Sequence, residues 1–149
     1  MSGPEATGLR PSVLEGLIGY HLRRASGAVG TDFARALEGA GVRQVPFAVA
    51  AVIAANPGVN QGAVGRALGV KRANMVALVN ELVDAGVVER RAAPGDRRAF
   101  ALSLTDEGER RFRDWVERIV AHEERLFARF TAGERTVLVG LLSRIGGGT

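Results

Sequence analysis

Residues 58–108 read GVNQGAVGRALGVKRANMVALVNELVDAGVVERRAAPGDRRAFALSLTDEG. Asn60 is placed to cap a short helix, Gln61 to Leu68, that turns Val64 and Leu68 inward. Gly69-Val70 makes a tight turn. Met75, Leu78, Val79 and Leu82 then recur at helical spacing as far as Gly86, a residue suited to end a helix. Two short helices joined by about three residues, one of them glycine, are the helix-turn-helix arrangement. Val87 to Ala92 combines β-branched residues with arginines, and Pro94-Gly95 fits a type II turn. On the return, Phe100, Leu102 and Leu104 alternate with Ala99, Ala101 and Ser103, the period of a half-buried strand. A β-hairpin, or wing, therefore follows the helix pair. Its tip carries two adjacent cations, Arg97 and Arg98, with little of their own protein to pair with. Their natural partner is something anionic outside the chain.

The bulk composition fits that partner and narrows the class. The 149 residues suit one domain with a sizeable core, and 46% hydrophobic with 24% charged residues is ordinary for a soluble globular protein. The absence of cysteine excludes disulfides, thiol catalysis and cysteine-ligated metal. The longest apolar run, Val45 to Ala55, is too short to span a membrane, and MSGPEATGLRPS has neither the basic nor the apolar region of a secretory signal. A cytoplasmic protein with no membrane partner is expected. The net charge of +4 is unevenly placed: +1 over residues 1–59, +3 over 60–104 and zero over 105–149. A local basic excess hints at nucleic acid, although 19 of the 20 basic residues are arginine, as an arginine-rich composition alone would give.

Working outward, Ser12 and Glu15 have the form of a capping box. Leu14, Leu17, Ile18, His21, Leu22, Ala25, Val29, Phe33 and Leu37 then predict a long amphipathic helix to about Gly39, weakened by Gly27 and Gly30. Val45 to Ala55 reads as a short buried helix. Thr105-Asp106-Glu107 opens a helix of about 25 residues carrying Phe112, Trp115, Val116, Ile119, Val120, Leu126, Phe127 and Phe130. Thr131 and Glu134 form a second capping box, before a last helix with Val137, Leu138, Leu141, Leu142 and Ile145. The first and the last two helices carry longer apolar stripes than so small a chain can cover, and pairing with a second copy would bury them. Leu14, Leu17, Leu126, Phe130, Leu138, Leu141 and Leu142 are the candidate dimer residues; the alternative is that these stripes pack on the middle of the chain.

The segment from 58 to 108 resembles the DNA-binding core of the MarR family of bacterial transcription factors. The residues that carry the likeness are Gln61, Leu68-Gly69, Lys71 to Gly86, Gly86-Val87-Val88-Glu89-Arg90, Asp96-Arg97-Arg98 and Leu104-Thr105-Asp106-Glu107-Gly108. The resemblance implies a mainly α fold with a small β-hairpin wing: one domain over 1–149, its winged helix-turn-helix lobe at 44–104, flanked by dimerisation helices over 12–40 and 105–146. It also implies double-stranded DNA as partner, a homodimer, and release by a small aromatic or phenolic effector.

A helix fits the major groove of DNA, and its N-terminal residues can reach base edges. Lys71, Arg72, Ala73 and Asn74, followed by Val76 and Ala77, are the expected outward positions. Arg72 could bind guanine bidentately and Asn74 could read adenine. Lys71 sits where a capping Asp or Ser would be usual, and its ammonium would attract phosphate where a carboxylate would repel it. Val76 and Ala77 depart from a Thr-Arg pair common in the family. Gln61 lies at a helix N-terminus, where a phosphate can be held; Arg66 is the weakest DNA candidate and is expected to face solvent. By resemblance, Arg98 enters a minor groove and Asp96 holds it, with Arg90, Arg91 and Arg97 supporting or facing phosphate.

For an effector the candidates are Arg10, Leu17, Tyr20, His21 and Phe47. His21 falls on the apolar face of the first helix, so its ring is either a core histidine bonded to a backbone carbonyl or a ligand contact. His122 is expected to be solvated on a charged helix and no metal site is expected. GAVGRALG at 62–69 lacks the G-x-G-x-x-G spacing of a nucleotide fold, and no catalytic triad or paired carboxylate site is visible. No cofactor is expected and an enzyme is disfavoured; a winged helix that binds protein rather than DNA is the remaining alternative.

Overall fold

The computed structural model describes residues 12–93 and 95–146, and for 96–99 the backbone alone. A single 3-10 turn, Ser12–Gly16, precedes helix α1, Ile18–Ala36. Helix α2 is Gln44–Ala55, α3 is Gln61–Leu68 and α4 is Arg72–Asp84. Strands β1, Val88–Ala93, and β2, Asp96–Leu104, form the antiparallel hairpin, and α5, Asp106–Leu126, and α6, Ala132–Gly146, close the chain. The mainly helical fold with one hairpin is the architecture expected from the sequence.

Local chemistry sets the element boundaries. The Asn60 side chain accepts from the Ala63 N–H at 2.8 Å and caps α3. Thr105 does the same for Gly108 at 2.9 Å and caps α5. At α6 the box is reciprocal: Thr131 Oγ1 accepts from the Glu134 N–H at 3.1 Å, and Glu134 Oε2 accepts from the Thr131 N–H at 2.9 Å. The first expected box does not form. Gly16 interrupts the helical run, Leu17 is extended, and α1 starts at Ile18 without a side-chain cap. α5 also ends earlier than its apolar spacing suggests, at Leu126, and the Arg135 guanidinium spans the turn that follows, donating to the Phe127 carbonyl at 2.8 Å and to Glu124 at 2.8 Å.

The core lies where α2, α3, α4 and the hairpin meet. Val49, Ile53, Val64, Met75, Val79, Leu82, Val87, Val88 and Leu102 are buried there, and Trp115 of α5 joins them. Each fully buried aliphatic side chain contributes about 2 kcal/mol by its removal from water. Leu102 also exchanges backbone hydrogen bonds with the α2–α3 connection, its N–H to Val59 and its carbonyl from Gly58, both at 2.8 Å. The hairpin is thereby clamped against the helix pair. Its register pairs Val88 with Leu104, Arg90 with Leu102 and Ala92 with Phe100, then shifts at Ala92/Ala93. Phe100 departs from expectation: it is 51% exposed, because it lies on the stretch of β2 that runs past the core toward the tip. Pro94 of the expected turn lies outside the described residues.

Candidate nucleic-acid interface

α3 and α4 are set against each other by Gly69, which takes the left-handed conformation at φ 66° between them. A side chain at that position would strain the turn, so glycine there fixes the angle at which α4 leaves the body. The buried side of α4 carries Met75, Val79 and Leu82. Lys71, Arg72, Ala73, Asn74, Val76 and Ala77 are all exposed, as the sequence anticipated. Arg66 is exposed too. The N-terminus of α4 faces that of α3 across an open groove of about 690 Å³, lined by Gln61, Arg66, Lys71, Arg72 and Phe100 among others. Among the described residues its lining includes three cations and no acid. Lys71 caps α4 with no side-chain bond to the backbone, which leaves its ammonium on the outer surface.

Two polar contacts hold α4 in place. The Arg90 guanidinium donates to Asn80 Oδ1, so Arg90 ties β1 to α4 rather than standing free. Arg43, at the start of α2, donates to both carboxylate oxygens of Glu81 at 2.8 and 3.1 Å. Arg91 pairs with Glu89 along its own strand at 2.9 Å, both side chains substantially exposed, an arrangement of small energetic weight. Phe100 and Leu102 of β2 line the groove on this face; the side chains of Asp96, Arg97 and Arg98 lie outside the described residues.

Among the described residues, Phe47 lies apart from the other effector candidates, Leu17, Tyr20 and His21. Phe47 stacks on Phe112 at 5.7 Å and meets Phe33 at 6.2 Å. His21 lies twelve residues before Phe33 on α1, about 18 Å along the helix axis. Its ring is not buried: Leu17 and Ile18 beside it are 48% and 73% exposed, and none of the described elements covers that face. His21 Nε2 donates to the Glu15 carbonyl at 2.7 Å, the backbone bond anticipated for a core histidine, made here at the surface. Tyr20 stands edge-on to it at 5.4 Å. Arg10 lies outside the described residues.

The sequence missed His122. Far from being solvated, it is 1% exposed, and its Nδ1 donates to Asp32 of α1 at 2.5 Å. Phe33 packs edge-on against the ring at 5.8 Å. The available signal was spacing: Gly108, Trp115 and His122 are the buried residues of α5 and follow one another at seven-residue steps. The charged neighbours of His122 masked it.

A helix pair with an exposed cationic N-terminus, backed by a clamped hairpin, defines a winged helix-turn-helix regulator of transcription. Residues 40–99 match the MarR family. A protein of Thauera aromatica named as a transcriptional regulator of the hcr operon is 34% identical over 133 residues, covering 89% of this chain and 80% of that one. The transcriptional repressor CouR, in a structure bound to a 23-mer DNA duplex, superposes with a TM-score of 0.88 at 32% identity, covering 93% of this chain and 98% of the other. CouR from Rhodococcus jostii RHA1 bound to p-coumaroyl-CoA gives 0.82 at 31% identity over 93% and 97%. The chain belongs to the MarR family.

Proposed function

We propose that this regulator is a cytoplasmic repressor that binds a pseudo-palindromic operator as a homodimer, with α4 of each copy in the major groove, and that a small aromatic or phenolic effector releases it. The observation that carries the DNA reading is the outward N-terminus of α4, where Lys71, Arg72, Ala73 and Asn74 stand exposed beside the cation-lined groove to which Gln61 contributes. Cations there neutralise phosphates, and Arg72 and Asn74 reach base edges. Arg90 supports the face through Asn80, while Arg98 at the wing tip enters the flanking minor groove, held by Asp96, with Arg97 toward phosphate.

Dimerisation is supported by apolar surface that none of the described residues covers. Leu14, Leu17, Phe130, Leu141 and Leu142 are 39%, 48%, 42%, 50% and 41% exposed, and Leu126 and Leu138 half-buried. Two-fold pairing sets the reading helices about 34–36 Å apart, one turn of duplex. The effector reading is supported by the phenolic thioester bound to CouR and by the aromatic side chains of Phe33, Phe47 and Phe112 clustered between α1, α2 and α5.

Selection from a random DNA pool with purified protein tests the proposal. A palindromic consensus with half-sites about 10 base pairs apart is expected; a pool with no enriched sequence contradicts it. On the selected operator, Arg98→Ala should weaken binding about tenfold or more and flatten its salt dependence. An unchanged affinity in gel shift would reject the wing assignment. Hydroxycinnamoyl thioesters and free phenolic acids, added to the complex, should release the DNA; retention with every one of them would reject the effector class.

A further inference from the structure

The outermost face of the reading helix is apolar. At 100° per residue, Ala73, Val76, Ala77 and Asn80 form one stripe along α4, opposite the buried Met75, Val79 and Leu82. All four are exposed, Val76 by 46%. Arg72 and Asn74 flank the stripe, and Asn80, at its far end, accepts from Arg90 through Oδ1. Between Asn74 and Asn80 the outward positions, Val76 and Ala77, offer no side-chain donor or acceptor for about one and a half turns. None of the described residues covers Val76, and the groove beside it, lined by Arg66, Lys71 and Arg72, makes a polyanion the matching occupant.

In the major groove each base pair is distinguished by its donors and acceptors, and thymine alone adds a methyl group. An apolar stripe cannot sort base pairs by hydrogen bonding, but it gains by removing a methyl from water. We propose that α4 reads thymine 5-methyl groups at the centre of each half-site, Val76 making the main contact with Ala73 and Ala77 beside it, while Arg72 and Asn74 read the flanking pairs. This specificity rests on the DNA-binding function proposed above and deepens it.

The test uses the full-length protein and its selected operator, with thymines replaced by deoxyuridine one symmetric pair at a time. Deoxyuridine keeps every hydrogen-bonding group and loses only the methyl. At one or two positions per half-site the affinity should fall about fourfold per methyl, or about fifteenfold when both half-sites are changed. Val76→Ser, whose exposed position leaves the melting temperature unchanged, should bind thymine and uracil operators equally at its own position. Undiminished binding by the parent protein to every uracil-substituted operator would overturn the inference, as would a Val76→Ser protein that still discriminates at every position where the parent does. Those outcomes leave DNA binding standing; a pool that yields no consensus removes both.

Discussion

Replacing Leu141 and Leu142 together by aspartate should turn the protein into a monomer and weaken operator binding by about a hundredfold or more. α6 is fifteen residues long and buries none of them. Val137, Val139, Leu141, Leu142 and Ile145 are 61%, 68%, 50%, 41% and 62% exposed. A helix with so much aliphatic surface gains little from the described residues of its own chain, and in the proposed homodimer burial against a second copy supplies the missing cover. The substituted positions touch no part of the core around Ile53 and Met75, so the winged lobe keeps its fold. What is lost is the second half-site: a protomer already on DNA places its partner at millimolar effective concentration, and that linkage contributes two to four orders of magnitude. Light scattering should show one chain in solution, and anisotropy should show the weakened affinity. A double variant that stays dimeric would move the interface elsewhere.

Gly108→Ala should lower the melting temperature by about 4–8 °C. Gly108 lies in the first turn of α5, where alanine is ordinarily the better helix former by about 1 kcal/mol. Here a Cβ would lie 2.0 Å from the Val87 carbonyl oxygen and 2.8 Å from its carbon. Those are backbone atoms, and they are already committed: the Val87 carbonyl accepts from the Thr105 N–H at 3.0 Å, and the Thr105 hydroxyl donates to the Gly86 carbonyl at 2.5 Å. Forcing them apart costs about 3 kcal/mol of overpacking, which exceeds the helix gain and leaves a net loss of about 2 kcal/mol. The same contacts explain the run Leu104 to Gly108. Thr105 caps α5 and grips the end of β1's approach, and Gly108 lets the two backbones touch. A melting temperature that rose with alanine would show that the contact yields.

The winged lobe was legible because its signals are local. Asn60, Thr105 and the Thr131–Glu134 pair each sit three residues from the group they satisfy, and Met75, Val79 and Leu82 declare the buried side of α4 by their spacing alone. The exposed positions 71–74, 76 and 77 followed from that phase. The failures have long-range causes. Asp32 and His122 are ninety residues apart, and nothing in the charged run around His122 shows that α1 will bury it. Phe100 keeps the strand alternation, yet β2 outruns the core that its other apolar residues enter. Ser12 and Glu15 have the residues of a cap, but Gly16 breaks the helix they would start. His21 lies on a face whose cover, in the proposed dimer, belongs to another molecule.

The most direct test is a titration of the selected operator at rising salt, with the stoichiometry measured in parallel. Two protomers per operator are expected, with affinity falling about 10³–10⁵-fold between about 50 and 200 mM salt as phosphate-bound counterions are released. A single protomer whose weak association with DNA is indifferent to salt would contradict the cationic face of α3 and α4 as a duplex-binding surface.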